Sequence, residues 1–282
     1  LARHRAEELG NDARAWRRIQ ARRVVVAAGS VGSTELLLRC RDQYKTLPRL
    51  SRALGQGWTS NGDFMTPAFY DDREIRPTRG PTITSAIDYL DGSDRGARYF
   101  VEDGGIPDLL GNWLEHAGRH PRLARTRLGA ALLEYGRDSD PFANMMLWFG
   151  QAIDDPGGRF RLGRRWYAPW KKDRLRLDWD YRRAEKAVQG LADRHLKLTE
   201  ATGGAAMTPA TWRWFKNLVT PHPLGGCNMA DTVKQGVVNH AGEVFNYPGL
   251  YVVDGAMVPR ALGLNPSRTI AALAEHAAAH WV

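Results

Sequence analysis

The amino-acid sequence predicts an α/β arrangement combined with an α+β one, the α/β parts lying at the two ends of the chain. Three observations predict it. A β-branched run, Arg23-Val24-Val25-Val26-Ala27-Ala28, ends at Gly29 and leads into a helix-forming stretch. A second run, Leu250-Tyr251-Val252-Val253, ends at Asp254-Gly255 and precedes a helix that follows Asn265-Pro266. Between them, short alternating stretches separated by Pro/Gly loops carry the period of half-buried strands. The 282 residues, 43% hydrophobic and 25% charged, suffice for one large domain or two modest ones.

Taken in order, Leu1 to Gln20 is rich in Ala, Arg and Glu and reads as a polar helix or the edge of an upstream element. The run from Arg23 to Ala28 reads as a strand buried on both faces. Ser30 to Ser33 is expected to turn the chain, and Thr34 to Arg41 to form a helix. Pro48 and the glycines at 55, 57 and 62 break the next stretch into loop. From about 64 to 180, Thr82-Ile83-Thr84, Arg98-Tyr99-Phe100-Val101 and Leu175 to Trp179 read as strands, with a helix over Arg122 to Tyr135. Asp155-Pro156-Gly157-Gly158 signals a turn, read as a hairpin before Arg159 to Leu162. This middle region is expected to be a separate substrate-facing sheet, followed by an amphipathic helix from Tyr181 to Thr199. Pro266 suits the first turn of a last helix running to about Trp281.

Composition removes several classes. The first 23 residues hold no signal-peptide pattern, and no run reaches the length of a transmembrane helix. Cys40 and Cys227 make neither a disulfide framework nor a metal motif, which favours a soluble protein of a reducing, cytoplasmic compartment. No metal is expected: His276 and His280 have helical i, i+4 spacing, but Ala277 stands where a zinc-protease helix carries glutamate. The net charge of +9 reads as an arginine-rich soluble protein rather than a nucleic-acid binder. The stretch from Arg164 to Lys172 interleaves cations with aromatics; it reads as a sheet edge, with an anionic partner as the alternative.

Two residues stand out as candidates for chemistry. His222 lies between Pro221 and Pro223, with Gly225 and Gly226 close behind. Rigid backbone on either side and room for close approach would fix an imidazole against a substrate, although a lone histidine is more often structural. Asn265 precedes a helix N-terminus, where it would either cap the helix or reach into a pocket while the helix dipole faces an anion. The strand ends at Gly29 and Gly255 are where α/β proteins place ligands, and Asp254 would hold a ribose or ribityl hydroxyl or make a turn. No glycine fingerprint for a dinucleotide occurs in the chain.

Several segments carry a family resemblance in combination. They are Ala28-Gly29-Ser30-Val31-Gly32-Ser33-Thr34-Glu35-Leu36-Leu37, Gly57-Trp58 with Asn61-Gly62, His222-Pro223-Leu224-Gly225-Gly226-Cys227, the strand through Asp254-Gly255, and Asn265-Pro266 with Thr269-Ile270. Their order and spacing resemble the glucose–methanol–choline (GMC) family of flavin oxidoreductases, and most closely its cholesterol oxidase branch. The resemblance implies FAD as cofactor and His222 as the active-site acid/base, with Asn265 orienting the reacting oxygen. It places Glu102 where cholesterol oxidases carry an active-site glutamate; a solvated hairpin residue is the alternative. Gly29, Gly32, Asp254, Gly255, Asn265 and Pro266 would lie along the cofactor.

The resemblance also implies an incomplete, Rossmann-like FAD-binding domain made of residues 1–62 and 216–282, with a sheet-based substrate domain at 63–215. The missing fingerprint suggests a fragment. The expected partners are a hydrophobic alcohol, a sterol among them, and oxygen or another electron acceptor. Asp103 to Asp155 departs from the cholesterol oxidase pattern and would cover the substrate pocket, so the alcohol stays unnamed. The competing readings are a non-catalytic binding module with a basic aromatic surface, or an inactive fragment of the family.

Overall fold

The protein is represented by a computed structural model that describes residues 2–5, 16–105, 142–163, 173–206 and 219–281, with short pieces between 116 and 133. The chain opens with β1 (Ala2–Arg5) and β2 (Trp16–Ile19), paired antiparallel from Ala2 opposite Ile19 to Arg5 opposite Trp16. Of the two readings for residues 1–20, a polar helix or the edge of an upstream element, the helix is corrected at 2–5 and 16–19. Helix propensity is a weak prior, and cross-strand pairing overrides it here.

The α/β part is built on two parallel strands. β3 (Val24–Val26) lies beside β12 (Leu250–Val252), and helix α1 (Gly29–Leu38) follows β3 directly, passing into a π-helical turn over Arg39–Gln43. Two expectations change. Ser30 to Ser33 belong to the first turns of α1 rather than to a loop, and Val25 is exposed, so β3 is covered on one side only. A pair of strands has fewer neighbours to cover it than the wide parallel sheet that a doubly buried strand implies.

A second, antiparallel sheet has the order β10 (Arg174–Asp178), β9 (Gly158–Gly163), β4 (Gln56–Trp58). Residues 56–58 were expected as loop. The pairing of Gln56 with Arg159 and Trp58 with Gly158 makes them a short strand, tolerated because Gly158 leaves room for the Trp58 ring. This sheet, α1 and the parallel strands share one core: Leu37, Leu38, Trp58, Phe160, Val237, Val238 and Val252. Asp155 to Gly158 therefore closes no hairpin; it carries the chain from one sheet to another.

The third sheet positions the site. Its order is β11 (Ala205–Ala206), β5 (Phe64–Phe69), β8 (Met145–Ala152), β7 (Tyr99–Gly104), β6 (Ala86–Asp88), all antiparallel. The edge strand falls at 86–88, not at Thr82 to Thr84, because Thr84 and Ser85 are held in a loop by hydrogen bonds to the Asp103 carboxylate. The substrate-facing sheet expected across 64–180 is thus narrower, with β9 and β10 belonging to the other core. The helix expected over 122–135 lies largely outside the described residues, as does the basic aromatic stretch 164–172.

Helix α2 (Arg182–Ala201) backs this sheet. Ala184, Val188, Leu191, Ala192 and His195 recur at helical spacing and are buried against Phe64, Tyr99, Val101 and Trp148. Gly150 lets the helix come this near, since a Cβ there would stand 2.5 Å from Leu191 Cδ1. His195 is structural: its Nδ1 is 3.0 Å from Thr66 Oγ1, and burial pushes its pKa down to about 3, so it stays neutral. Helix α3 (Ser267–Ala279) closes the described fold. No helix among the described residues is long and apolar enough to cross a membrane.

Candidate active site

Strand geometry assigns the two faces of the third sheet different work. Alternation sends Val101, Trp148 and Gly150 toward α2 and turns their neighbours the other way. The registers Met65 opposite Phe149 and Phe149 opposite Glu102 set these three side chains in a row across β5, β8 and β7. Gln151 is two residues along β8 from Phe149 and so shares that face. The row is apolar at Met65 and Phe149 and polar at Glu102 and Gln151.

Onto this face comes Asn265. Its Nδ2 donates to Glu102 Oε1 at 2.5 Å, and its Oδ1 accepts from Gln151 Nε2 at 3.3 Å. The side chain therefore does not cap α3, whose N-cap is Pro266 with no side-chain capping bond. His222 reaches the same face, its ring centroid 5.6 Å from that of Phe149. His222 and Glu102 are close enough to interact electrostatically. Residues far apart in the sequence thus meet over one strand pair.

His222 is held by a partner that carries no motif of its own. Its Nδ1 is 3.0 Å from Asp63 Oδ1, and its backbone N–H donates to Asp63 Oδ2 at 3.1 Å. The Thr220 hydroxyl lies 2.5 Å from the same Oδ2. The Asp63 side chain is fully buried, whereas that of His222 is 19% exposed, so the imidazole can still meet a ligand. Among the described residues, His222 Nε2 has no protein partner.

Asp63 sits at the end of the turn that precedes β5, and the same turn steers Asn265. Asn61 Oδ1 accepts from the backbone N–H groups of Leu262 and Gly263 at 2.8 and 3.1 Å, and Asn61 Nδ2 donates to the Leu264 carbonyl at 3.0 Å. Gly62 makes the turn possible: its φ is +62°, and a Cβ there would lie 2.5 Å from the Ala152 carbonyl oxygen. Beneath the turn, the Asp154 carboxylate accepts from the hydroxyls of Thr59 and Ser60.

Burial sets the electrostatics. It raises the Glu102 carboxyl above the usual range, opposed by the Gln151 and Asn265 amides and by the charge of His222. It also raises Asp63, opposed by the contacts to His222 and Thr220. Asp154 is pushed up to about 6 by the same desolvation, against the pull of Thr59 and Ser60. Of these acids the sequence singles out Glu102 alone. Asp63 and Gln151 carry no periodic or motif signal; the Asn61-Gly62 turn beside Asp63 is the nearest pointer.

Of the residues expected along a cofactor, Gly29, Gly32, Asp254 and Gly255 gather at the ends of the two parallel strands, whereas Asn265 meets Glu102 and Gln151. Asp254 Oδ2 accepts from the Gly29 N–H at 2.9 Å and from the Ser33 hydroxyl, and its Oδ1 accepts from the Ala256 N–H at 2.7 Å. Asp254 thereby ties the start of α1 to the 3-10 turn Gly255–Met257. Ser30 Oγ donates to the Gly225 carbonyl, and Gly225 N–H donates to that of Gly255, which joins this end to the His222 segment. Gly32 lies within α1, close against Ala28.

These features fit a dinucleotide-type flavin. Neither α1 nor α3 has a side-chain cap or an acid in its first turn, so both N-termini present backbone donors, although at α1 the Asp254 carboxylate already takes the Gly29 N–H; the α3 N-terminus is the one open to an anionic group. A Cβ at Gly29 would meet open space, so a ligand can approach that backbone closely. Glu102 Oε2 and Gln151 Oε1 are buried acceptors without a partner among the described residues. They suit a hydroxyl-bearing molecule.

Comparison with known proteins bears on the family and the fold. Residues 157–274 match the family model for the GMC oxidoreductase C-terminal region. A cholesterol oxidase from Acinetobacter baumannii is 31% identical over 273 residues, covering 94% of this chain and 47% of that protein. A cholesterol oxidase from Mycobacterium tuberculosis is 29% identical, with 94% and 47% covered. A long-chain-alcohol oxidase from Arabidopsis thaliana is 23% identical, with 89% and 34% covered. The chain thus spans about half the length, or less, of these relatives. In fold it is similar to pyridoxine 4-oxidase from Mesorbium loti, with a TM-score of 0.55 at 17% identity, covering 92% of this chain and 51% of the other. A formate oxidase gives 0.54 at 13% identity, with 91% and 53% covered.

Proposed function

The chain belongs to the GMC oxidoreductase family, and from that premise we propose that it carries the acid/base machinery of an FAD-dependent alcohol oxidoreductase. The observation that carries the proposal is the position of Asn265, turned away from its helix and clamped between Glu102 and Gln151 beside His222. A binding module has no need of such an arrangement.

FAD, when bound, supplies the hydride acceptor for the alcohol carbon. The α3 N-terminus, together with Gly29, Gly32, Asp254, Gly255 and Pro266, would hold it, as part of an incomplete Rossmann-like domain at 1–62 and 216–282. The substrate domain would be 63–215 without β9 and β10, which pack with the first core. His222 takes the hydroxyl proton at Nε2, the nitrogen with no protein partner among the described residues, a step worth about 10²–10⁴-fold. Asn265 orients the same oxygen: one N–H of its amide is spent on Glu102 and the second stays available. Glu102, held above its ordinary pKa by burial, is suited to moving a second proton.

The substrate is a hydrophobic alcohol, a sterol among the candidates, and the electron acceptor is oxygen or another carrier. Met65 and Phe149 on the same sheet face support an apolar substrate, and relatives named as cholesterol and long-chain-alcohol oxidases point the same way.

The test is a visible absorption spectrum of the protein expressed from its whole reading frame, taken anaerobically with added alcohols. A bound flavin that a hydrophobic alcohol bleaches, and that His222→Ala leaves oxidised, supports the assignment. A protein that retains no flavin after incubation with excess FAD and removal of the unbound cofactor would sink it.

A further inference from the structure

We propose that Asp63 is the positioning residue for His222: its carboxylate accepts the Nδ1 hydrogen and so leaves the Nε2 lone pair facing the alcohol. The proposal rests on the reading of His222 as the proton acceptor. A neutral imidazole carries its hydrogen on one nitrogen, and only the other can accept a proton. Which one is competent is therefore set by what Nδ1 meets. Among the described residues, Nδ1 meets Asp63 Oδ1 at 3.0 Å and no other group.

The carboxylate is itself fixed. Oδ2 takes the His222 backbone N–H at 3.1 Å, which makes it an acceptor, and lies 2.5 Å from the Thr220 hydroxyl, whose single hydrogen the Ser60 carbonyl at 2.9 Å also competes for. Oδ1 alone is left for the ring. Burial pushes the Asp63 carboxyl up and the contacts to His222 pull it down. An imidazole is ordinarily the stronger base of the two, which leaves the shared hydrogen on Nδ1. When Nε2 gains the alcohol proton, the resulting imidazolium stands beside a buried anion instead of an uncharged wall, and Glu102 is near enough to add to that attraction. The mount is stiff: Gly62 holds the turn against Ala152, and Asn61 in the same turn grips residues 262–264, just before Asn265. One turn thus sets the geometry of both partners to the alcohol.

The isosteric change Asp63→Asn makes a directional prediction. The His222 backbone N–H at Oδ2 holds the amide oxygen there, so the amide NH₂ faces Nδ1 and forces the hydrogen onto Nε2. Loss of a buried carboxylate partner through the wrong tautomer costs about 10⁴-fold in the catalytic triads where it is understood. We expect flavin reduction by a saturating alcohol to slow by about 10²–10⁴-fold, with the flavin spectrum and the alcohol concentration at half-saturation unchanged. Wild-type reduction rates in Asp63→Asn overturn the proposal. A loss that appears in half-saturation or flavin retention instead of in the limiting rate also overturns it, because that is the signature of a collapsed site. His222→Gln separates the two readings: if it reduces as fast as wild type, the assignment of His222 has failed before Asp63 is at issue. Should Asp63→Asn not fold, ¹⁵N NMR of the ring nitrogens in the wild-type protein decides. Hydrogen on Nδ1 supports the proposal, and hydrogen on Nε2 refutes it.

Discussion

Replacing Asp154 by Asn should make the protein's stability less sensitive to pH, by an amount set by where this acid lies. Asp154 is 5% exposed, beneath the turn that carries Asn61 and Asp63, and its carboxyl is pushed from 3.8 up to about 6. A tenfold change in an acid's dissociation constant corresponds to about 1.4 kcal/mol, so this displacement amounts to about 3 kcal/mol. The sign comes from linkage: a carboxyl raised in the folded state favours folding while it is protonated. Its contribution is full below the unfolded value of 3.8 and is lost as pH rises through about 6. The Asn variant has nothing to lose over that window. Its stability relative to wild type should therefore improve by about 2–3 kcal/mol between about pH 4 and pH 7. A pH-independent offset of about 1 kcal/mol is expected from rearranging the Thr59 and Ser60 hydroxyls. The offset leaves the slope untouched, and the other titrating groups are common to both proteins. Urea unfolding of both, at matched FAD across that range, measures the difference. A difference that stays flat, or that moves against the variant as pH rises, refutes the argument that burial dominates at Asp154.

Packing and hydrogen bonding supply two more outcomes. Gly226→Ala places a Cβ 2.2 Å from Thr34 Oγ1 at a backbone φ of +104°, so both strain and overlap oppose it. It should cost about 2–4 kcal/mol and lower the melting temperature by several degrees, and a melting curve matching wild type would contradict so close an approach. Gln151→Met removes the donor to Asn265 Oδ1 while keeping the volume. Flavin reduction should slow by about tenfold to a hundredfold through misplacement of the oxygen-orienting amide, and stopped-flow rates equal to wild type would show that Glu102 alone holds Asn265.

The two α/β segments are far easier to read from sequence than most of the stretch between them. Val24–Val26, Leu250–Val252 and the helix after Pro266 announce themselves through β-branched runs that stop at glycine and through proline at a helix start. The long amphipathic helix is legible because Ala184, Val188, Leu191 and His195 keep a helical period. The elements that escape sequence reading share a cause. The strands at Gln56–Trp58 and Ala86–Asp88 have only three residues each, too few to show a period, and exist because a partner strand pairs with them. At the site, His222 and Asn265 are visible because prolines or glycines flank them. Asp63 and Gln151 look like ordinary polar residues, and their roles arise only when a turn and a strand register bring them to groups far along the chain.

That difference bears on why the site is built this way. Asp63, Glu102 and Asp154 all have carboxyls raised by burial, and all lie around or under one sheet face and one turn. Each would be easier to bury as its amide. A chain selected for stability alone has no reason to collect three such acids within one small region, and perturbed acids cluster where protons are handled. The structural role of Asp154 and the positioning role of Asp63 are then two levels of the same support. Asp154 ties the turn through Thr59 and Ser60, the turn presents Asp63 and Asn61, and these hold His222 and the segment just before Asn265. Glu102 differs in kind, since it touches Asn265 directly and keeps one buried oxygen without a partner among the described residues. The buried acids are thus concentrated around His222 and Asn265, while the apolar work of holding the fold is left to α2 and the two cores.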